Sequence, residues 1–149
     1  MLSGVCLGTN DLAAAAAFYD AVLATVGMRC TLDEPRERGY AGADGRTTVF
    51  LLFPWDGRRA TAGNGTQAMF YAPDAAAVRA FHDAALRHGG TDEGAPGPRG
   101  YHPDYYGAYV RDPDGNKLNV SVSLEGASSG QACGERSPDR ALGDGPIPV

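Results

Sequence analysis

Residues 18–27 read Phe-Tyr-Asp-Ala-Val-Leu-Ala-Thr-Val-Gly, and residues 81–90 read Phe-His-Asp-Ala-Ala-Leu-Arg-His-Gly-Gly. Phe18, Asp20, Ala21, Leu23 and Gly27 return as Phe81, Asp83, Ala84, Leu86 and Gly90 at one constant offset of 63 residues. A fixed offset marks a duplicated structural unit. Apolar residues in each copy fall at helical spacing, and the closing glycine suits the left-handed conformation that ends a helix. Amphipathic helices are therefore expected over residues 11–26 and 74–88.

Working outward, Val5 and Leu7 alternate as a strand does, and so do Ala68 and Phe70 at the same offset. These side chains should face the helices. Further strands are expected at 28–33, 38–43 and 47–53, and again at 95–100, 105–111 and 117–124. The unit is βαβββ, present twice. The expected class is α+β, with two tandem modules forming a curved mixed sheet, a cup, and helices on its outer face. Residues 1–124 make one domain: module one at 1–55, a polar linker at 56–65 and module two at 66–124. Residues 125–149, rich in Gly, Ser and Pro, are expected to form a mobile tail.

A length of 149 residues with 43% hydrophobic content suits one core. The net charge of −5 comes without a Lys/Arg cluster, which argues against a nucleic-acid partner. No apolar run is long enough for a membrane span and no secretory leader is recognisable, so a cytoplasmic protein is expected. Cys6, Cys30 and Cys133 match neither a disulfide framework nor a paired zinc pattern.

Asp112-Pro113-Asp114-Gly115-Asn116 is a turn signal, because Pro presets the backbone angle and Gly supplies the left-handed position. Asp112 then opposes Asn116, Val110 opposes Leu118, Tyr109 opposes Asn119 and Ala108 opposes Val120. One face is apolar and suits a helix; the other carries Gly107, Tyr109, Lys117, Asn119 and Ser121 and should line the cup. Equivalent counting from Asp44-Gly45-Arg46 makes Val49 the counterpart of Asn119 and places Val49, Leu51 and Phe53 on the first module's wall. Gly4, Cys6 and Gly8 should share that cavity, as should Gln67, Met69 and Tyr71.

The duplicated unit, Asn10-Asp11-Leu12 ahead of a helix with Phe18-Tyr19, and the closing Asp112–Asn116 turn together resemble the vicinal oxygen chelate superfamily over residues 2–124. Its members include glyoxalase I, extradiol dioxygenases, fosfomycin-resistance enzymes, methylmalonyl-CoA epimerase and bleomycin-binding proteins. Pro96 to Asn116, with Tyr101-His102-Pro103-Asp104-Tyr105-Tyr106, looks like a glyoxalase-like subgroup. The resemblance implies a divalent metal held by His, Gln or Glu at positions matching Gly4, Val49, Gln67 and Asn119, and a homodimer. The subgroup looks as though it carries His at 4 and 67 and Glu at 119. This chain departs at every one. Gly4 and Val49 offer no side-chain donor, whereas a catalytic zinc site wants about three His, Asp, Glu or Cys ligands. No metal and no other cofactor is therefore expected.

The remaining candidates divide by chemistry. His102, in a Tyr-rich loop, is the candidate proton-transfer residue, against the plainer reading of a loop His bonded to the backbone or to Asp104. His82 and His88 read as surface residues of the second helix, Trp55 and Tyr40 as rim aromatics, and Cys6 as a small buried residue. The lining Gln67, Asn119, Tyr109, Met69, Tyr71, Tyr105, Val49, Leu51, Phe53, Gly4 and Cys6 has hydrogen-bonding handles and no strong charge. It suits a partly aromatic small molecule. The expected function is metal-free binding, sequestering or carrying a metabolite or antibiotic. A metal-independent isomerase, cyclase or lyase is the first alternative, and a metal-dependent glyoxalase or dioxygenase-type enzyme with non-standard ligands the second.

Overall fold

Asp11 and Asp74, one repeat apart, each cap a thirteen-residue helix: α1, Leu12–Ala24, and α2, Ala75–Arg87. The Asp11 carboxylate accepts the Ala14 N–H at 3.0 Å and the Asp74 carboxylate accepts the Ala77 N–H at 2.8 Å. Each satisfies an amide that the first helical turn leaves unpaired. Gly27 closes α1 at φ 77°, as expected. The second helix turns one residue early, on Gly89 at φ 92°. Gly90 serves a different need: a Cβ there would lie 2.7 Å from the Arg111 carbonyl and 2.8 Å from the Phe18 ring.

The computed structural model describes residues 2–122. The expected tail at 125–149, with Cys133, lies outside them. The strands are β1 Val5–Gly8, β2 Arg29–Glu34, β3 Glu37–Ala41, β4 Thr47–Leu52, β5 Gln67–Ala72, β6 Thr91–Pro98, β7 Tyr106–Arg111 and β8 Lys117–Val122. The βαβββ unit is present twice, and the α+β reading holds. The expected curved sheet is two hydrogen-bonded sheets, ordered β1-β4-β3-β2 and β5-β8-β7-β6. Each is mixed, with its first strand parallel to its last. β1 and β5 are edge strands.

β6 starts at Thr91, four residues before the expected 95. Register shifts between Asp92 and Gly94 and between Gly94 and Gly97 break its alternation, so periodicity underestimates it. β7 and β8 pair in the expected register, with Val110 opposite Leu118 and Tyr109 opposite Asn119.

Both helices share one core. Phe18, Tyr19, Val22 and Leu23 of α1 and Val78, Phe81 and Ala85 of α2 are fully buried, against Leu7, Leu51, Val110, Leu118 and Val120 of the sheets. Each large aliphatic or aromatic side chain so buried contributes about 1.5–3 kcal/mol. His82 is also buried, contrary to its expected surface place; its Nε2 lies 2.9 Å from Asp92 Oδ1, which gives the ring a polar partner at the base of β6. His88 is exposed, as expected.

The two modules are locked at one end. Asp114 accepts from the Thr9 hydroxyl at 2.6 Å, from the Asn10 backbone at 3.0 Å and from Asn10 Nδ2 at 2.7 Å. Asn116 Nδ2 donates to the Gly8 carbonyl at 3.0 Å. The motif that opens α1 and the motif that turns β7 into β8 are therefore two halves of one polar clamp.

Candidate ligand site

Alternation puts Ala68, Phe70 and Ala72 of β5 in the core and leaves Gln67, Met69 and Tyr71 on the face turned away from the helices. Met69 pairs with Asn119, Asn119 with Tyr109 and Tyr109 with Gly94, so one row crosses the second sheet from β5 to β6. Met69, at the edge of that row, is 66% exposed, and Tyr71, two residues along the same strand face, is 72% exposed.

The centre of the row is closed. Asn119 is fully buried; its Oδ1 accepts the Tyr105 hydroxyl at 3.3 Å and its Nδ2 donates to the Ala108 carbonyl at 3.1 Å. The Tyr105 and Tyr109 hydroxyls lie 3.5 Å apart, and the Tyr101 ring meets the Tyr105 ring edge-on. Burial, then the hydroxyls of Tyr105 and Tyr101, raises the pKa of Tyr109 well above the ordinary phenol value, so Tyr109 stays a neutral hydroxyl near neutrality. Gly107 makes this possible, because a Cβ there would sit 2.8 Å from the Val120 carbonyl and 2.9 Å from the Tyr105 ring. Asn119 thus positions Tyr105 and does not itself line open space.

Two cations flank Tyr109, and the sequence reading of a lining without strong charge is corrected here. The Arg99 guanidinium stands 5.6 Å and Lys117 Nζ 5.3 Å from the ring centroid. Lys117 was visible on this face from the hairpin register. Arg99 was not, because the two shifts in β6 remove the regular count that would have placed it.

The first sheet departs from expectation at β4. Tyr40 pairs with Val49 but Ala41 pairs with Thr47, so Thr48 is an extra residue in a bulge. Counting from the turn therefore lands one position short. Val49 and Leu51 turn into the core, and Phe50, paired with Cys6, is the counterpart of Asn119. Phe53 lies beyond β4, under the Arg36 guanidinium, in a groove of about 710 Å³ with Leu32, Leu52 and the 99% exposed Trp55. Tyr40, expected at the rim, is fully buried and donates its hydroxyl to Asp20 at 2.9 Å. Cys6 is exposed, not buried, since it faces away from the helices beside Phe50.

Between the β1 and β5 edges lies a cavity of about 440 Å³, with Gly4, Thr48, Gln67, Met69 and Tyr71 among its walls. Val49 reaches it from the core side. His102 stands apart from these groups: its Nδ1 accepts the Asp104 backbone N–H at 3.2 Å, which is the plainer of its two readings.

The residues present do not fit a family-type metal. Phe50 and Gly4 supply no donor, and a Cβ at position 4 would lie 2.8 Å from the Thr48 carbonyl and 3.1 Å from the Phe50 ring. Asn119 has both amide atoms engaged, which leaves Gln67. Among the described residues, no group of three His, Cys, Asp or Glu side chains converges.

A paired βαβββ architecture with its polar groups on the face opposite the helices defines the glyoxalase-like class of fold. The model of the Glyoxalase/Bleomycin resistance protein/Dioxygenase superfamily matches residues 2–120, and the chain belongs to that family. A glyoxalase/bleomycin resistance protein from Albidiferax ferrireducens T118 is 37% identical, with 80% of this chain and 96% of that one covered and a TM-score of 0.72. A glyoxalase/bleomycin resistance protein/dioxygenase family enzyme from Burkholderia phytofirmans PsJN is 25% identical, covering 83% and 98%, with a TM-score of 0.65. A fosfomycin resistance protein from Mesorhizobium loti, 17% identical over 85% and 96% at a TM-score of 0.61, shares the fold. No curated protein matches the chain. No helix among the described residues is long and apolar enough to cross a membrane.

Proposed function

We propose that this member of the family binds a partly aromatic small molecule without a metal and holds it at the Tyr105–Tyr109 wall. The observation that supports this most is the Asn119 amide: at a position where the family resemblance implies a metal ligand, both of its polar atoms are spent on Tyr105 and Ala108. A buried amide with both ends satisfied is a structural brace. The exposed Met69 and Tyr71 beside it supply apolar and aromatic contact. That surface suits carriage or sequestration of a metabolite or antibiotic. Isothermal titration against an aromatic and antibiotic-like library, with and without chelator, tests the reading. Saturable binding that survives chelator is expected; binding or turnover that appears only with added divalent metal overturns it.

The assembly proposed with it is a homodimer in which a second copy covers β1 and β5. Both are edge strands with unpaired backbone groups. Sedimentation equilibrium should return twice the chain mass.

A further inference from the structure

We propose that the ligand is an amphiphilic anion, an aromatic or aliphatic body with a carboxylate or another acidic group, whose acidic end is taken by Arg99. This rests on the small-molecule-binding reading above and names its ligand class.

Arg99 is oriented without being neutralised. Its Nη2 donates to the Ala95 carbonyl at 2.7 Å and its Nη1 to the Pro98 carbonyl at 3.1 Å, while the guanidinium stands over the Tyr109 ring. Nε is buried and has no partner. Among the described residues Arg99 makes no ion pair, whereas Lys117, on the same ring, is paired with Glu93 at 3.3 Å. Asp92, the carboxylate whose acidity Arg99 helps to strengthen, is already engaged by His82 and by the Gly94 N–H. Backbone carbonyls and a ring face fix a guanidinium in place, but they leave a full positive charge and unused N–H donors.

The slot is built for that side chain. A Cβ at Gly94 would lie 3.3 Å from Arg99 Nη2 and 3.1 Å from the Tyr109 ring, and one at Gly97 would lie 3.1 Å from Nη1. The two glycines sit at the two register shifts of β6, so the irregular strand is what lets the guanidinium fold back onto Tyr109.

Polarity then grades across one face of the sheet. The exposed Met69 and Tyr71 stand at the β5 edge, the tyrosine hydroxyls in the middle and Arg99 at the β6 edge. Three strand spacings separate the ends, about 14 Å. A molecule with its acid at Arg99 and its apolar body at Met69 and Tyr71 lies over the outside of that closed centre. The chain carries a net charge of −5, so a preference for an anion has to arise at this local cation and not from the overall field.

The test compares 2-naphthylacetate with its neutral isostere 2-naphthylacetamide by titration calorimetry on the full chain, in wild type, Arg99→Met and Arg99→Lys, each checked by thermal melting. The acid is expected to bind wild type at least tenfold more tightly than the amide. Arg99→Met should bring that ratio to about one, read as the acid-to-amide ratio within the variant, and Arg99→Lys should keep part of it. Equal binding of acid and amide by wild type, or a ratio that survives Arg99→Met, overturns the anion assignment and leaves the binding reading standing. No binding of either probe by folded wild type at millimolar concentration overturns both.

Discussion

The Tyr19 hydroxyl donates a 2.8 Å hydrogen bond to Asp112 Oδ2 across 93 residues, with both side chains inside the protein. Tyr19 belongs to α1 and Asp112 to the turn between β7 and β8, so the bond joins the two modules through their interior. Asp112 also accepts the Asn116 and Asp114 backbone N–H groups and Asn116 Nδ2, and one carboxylate thereby organises the whole turn.

Tyr19→Phe should destabilise the protein by about 2 kcal/mol, the usual worth of a hydrogen bond to a charged group. Burial raises the Asp112 pKa, and its hydrogen bonds, including the one from Tyr19, oppose that rise. A raised folded value means that the native state binds the proton more tightly than the unfolded one. Stability from this group is therefore full below the unfolded carboxylate value near 4 and declines as pH climbs through the folded value. Removing Tyr19 takes away a bond that favoured the charged form, so the decline should extend to higher pH. Urea midpoints between pH 4 and 7 at constant slope check both points.

How much of this was legible follows from where the chain is regular. The Asp112–Asn116 turn contains its own register, because Pro113 and Gly115 leave one hairpin geometry, and Tyr109 opposite Asn119 follows by counting. The same counting failed at Val49, since the extra Thr48 has no sequence mark that separates a bulge residue from a strand residue. Arg99 is not legible for the same kind of reason, because β6 shifts register at Gly94 and at Gly97. Tyr105 was placed on the right face, but its position as a lid over Asn119 depends on the space above Gly107, a packing fact with no period. His82 was misplaced because its partner Asp92 is on another element.

Gly107→Ala tests that lid. The added methyl meets the Val120 carbonyl and the Tyr105 ring at once, and the backbone carbonyl cannot swing away as a side chain can. A cost of about 1–3 kcal/mol is expected for such overpacking. Ligand affinity should fall further than stability alone explains, because Tyr105 leaves Asn119. A variant with native affinity and native melting temperature would remove Tyr105 from the site.

Glu93 offers a pH signature of opposite sign. The Arg111 hydrogen bond first, and then Lys117, holds its carboxylate below the ordinary range. A lowered folded value supplies stability that is present above the unfolded glutamate value near 4.3 and is lost as pH falls through the folded one. Glu93→Gln should cost up to about 1 kcal/mol at pH 7, in keeping with a partly exposed pair, and nothing at pH 2. Denaturation at the two pH values measures the difference directly.

Asn119→Glu asks whether restoring the carboxylate that the family resemblance implies at this position restores a metal. Three obstacles stand against it. Phe50 occupies the matching position on the first sheet, Gly4 has no room for a ligand, and Gln67 alone remains as a donor. Two ligands fall short of the three that a catalytic zinc site requires. The new carboxylate would also replace the amide that donates to the Ala108 carbonyl with a buried acid, at about 1–3 kcal/mol. The expected outcome is a less stable protein that takes up no zinc, manganese or nickel at micromolar concentration. Stoichiometric uptake, read by elemental analysis after desalting, would show that a donor outside this set completes the site and would return the protein to the metal-binding branch of its family.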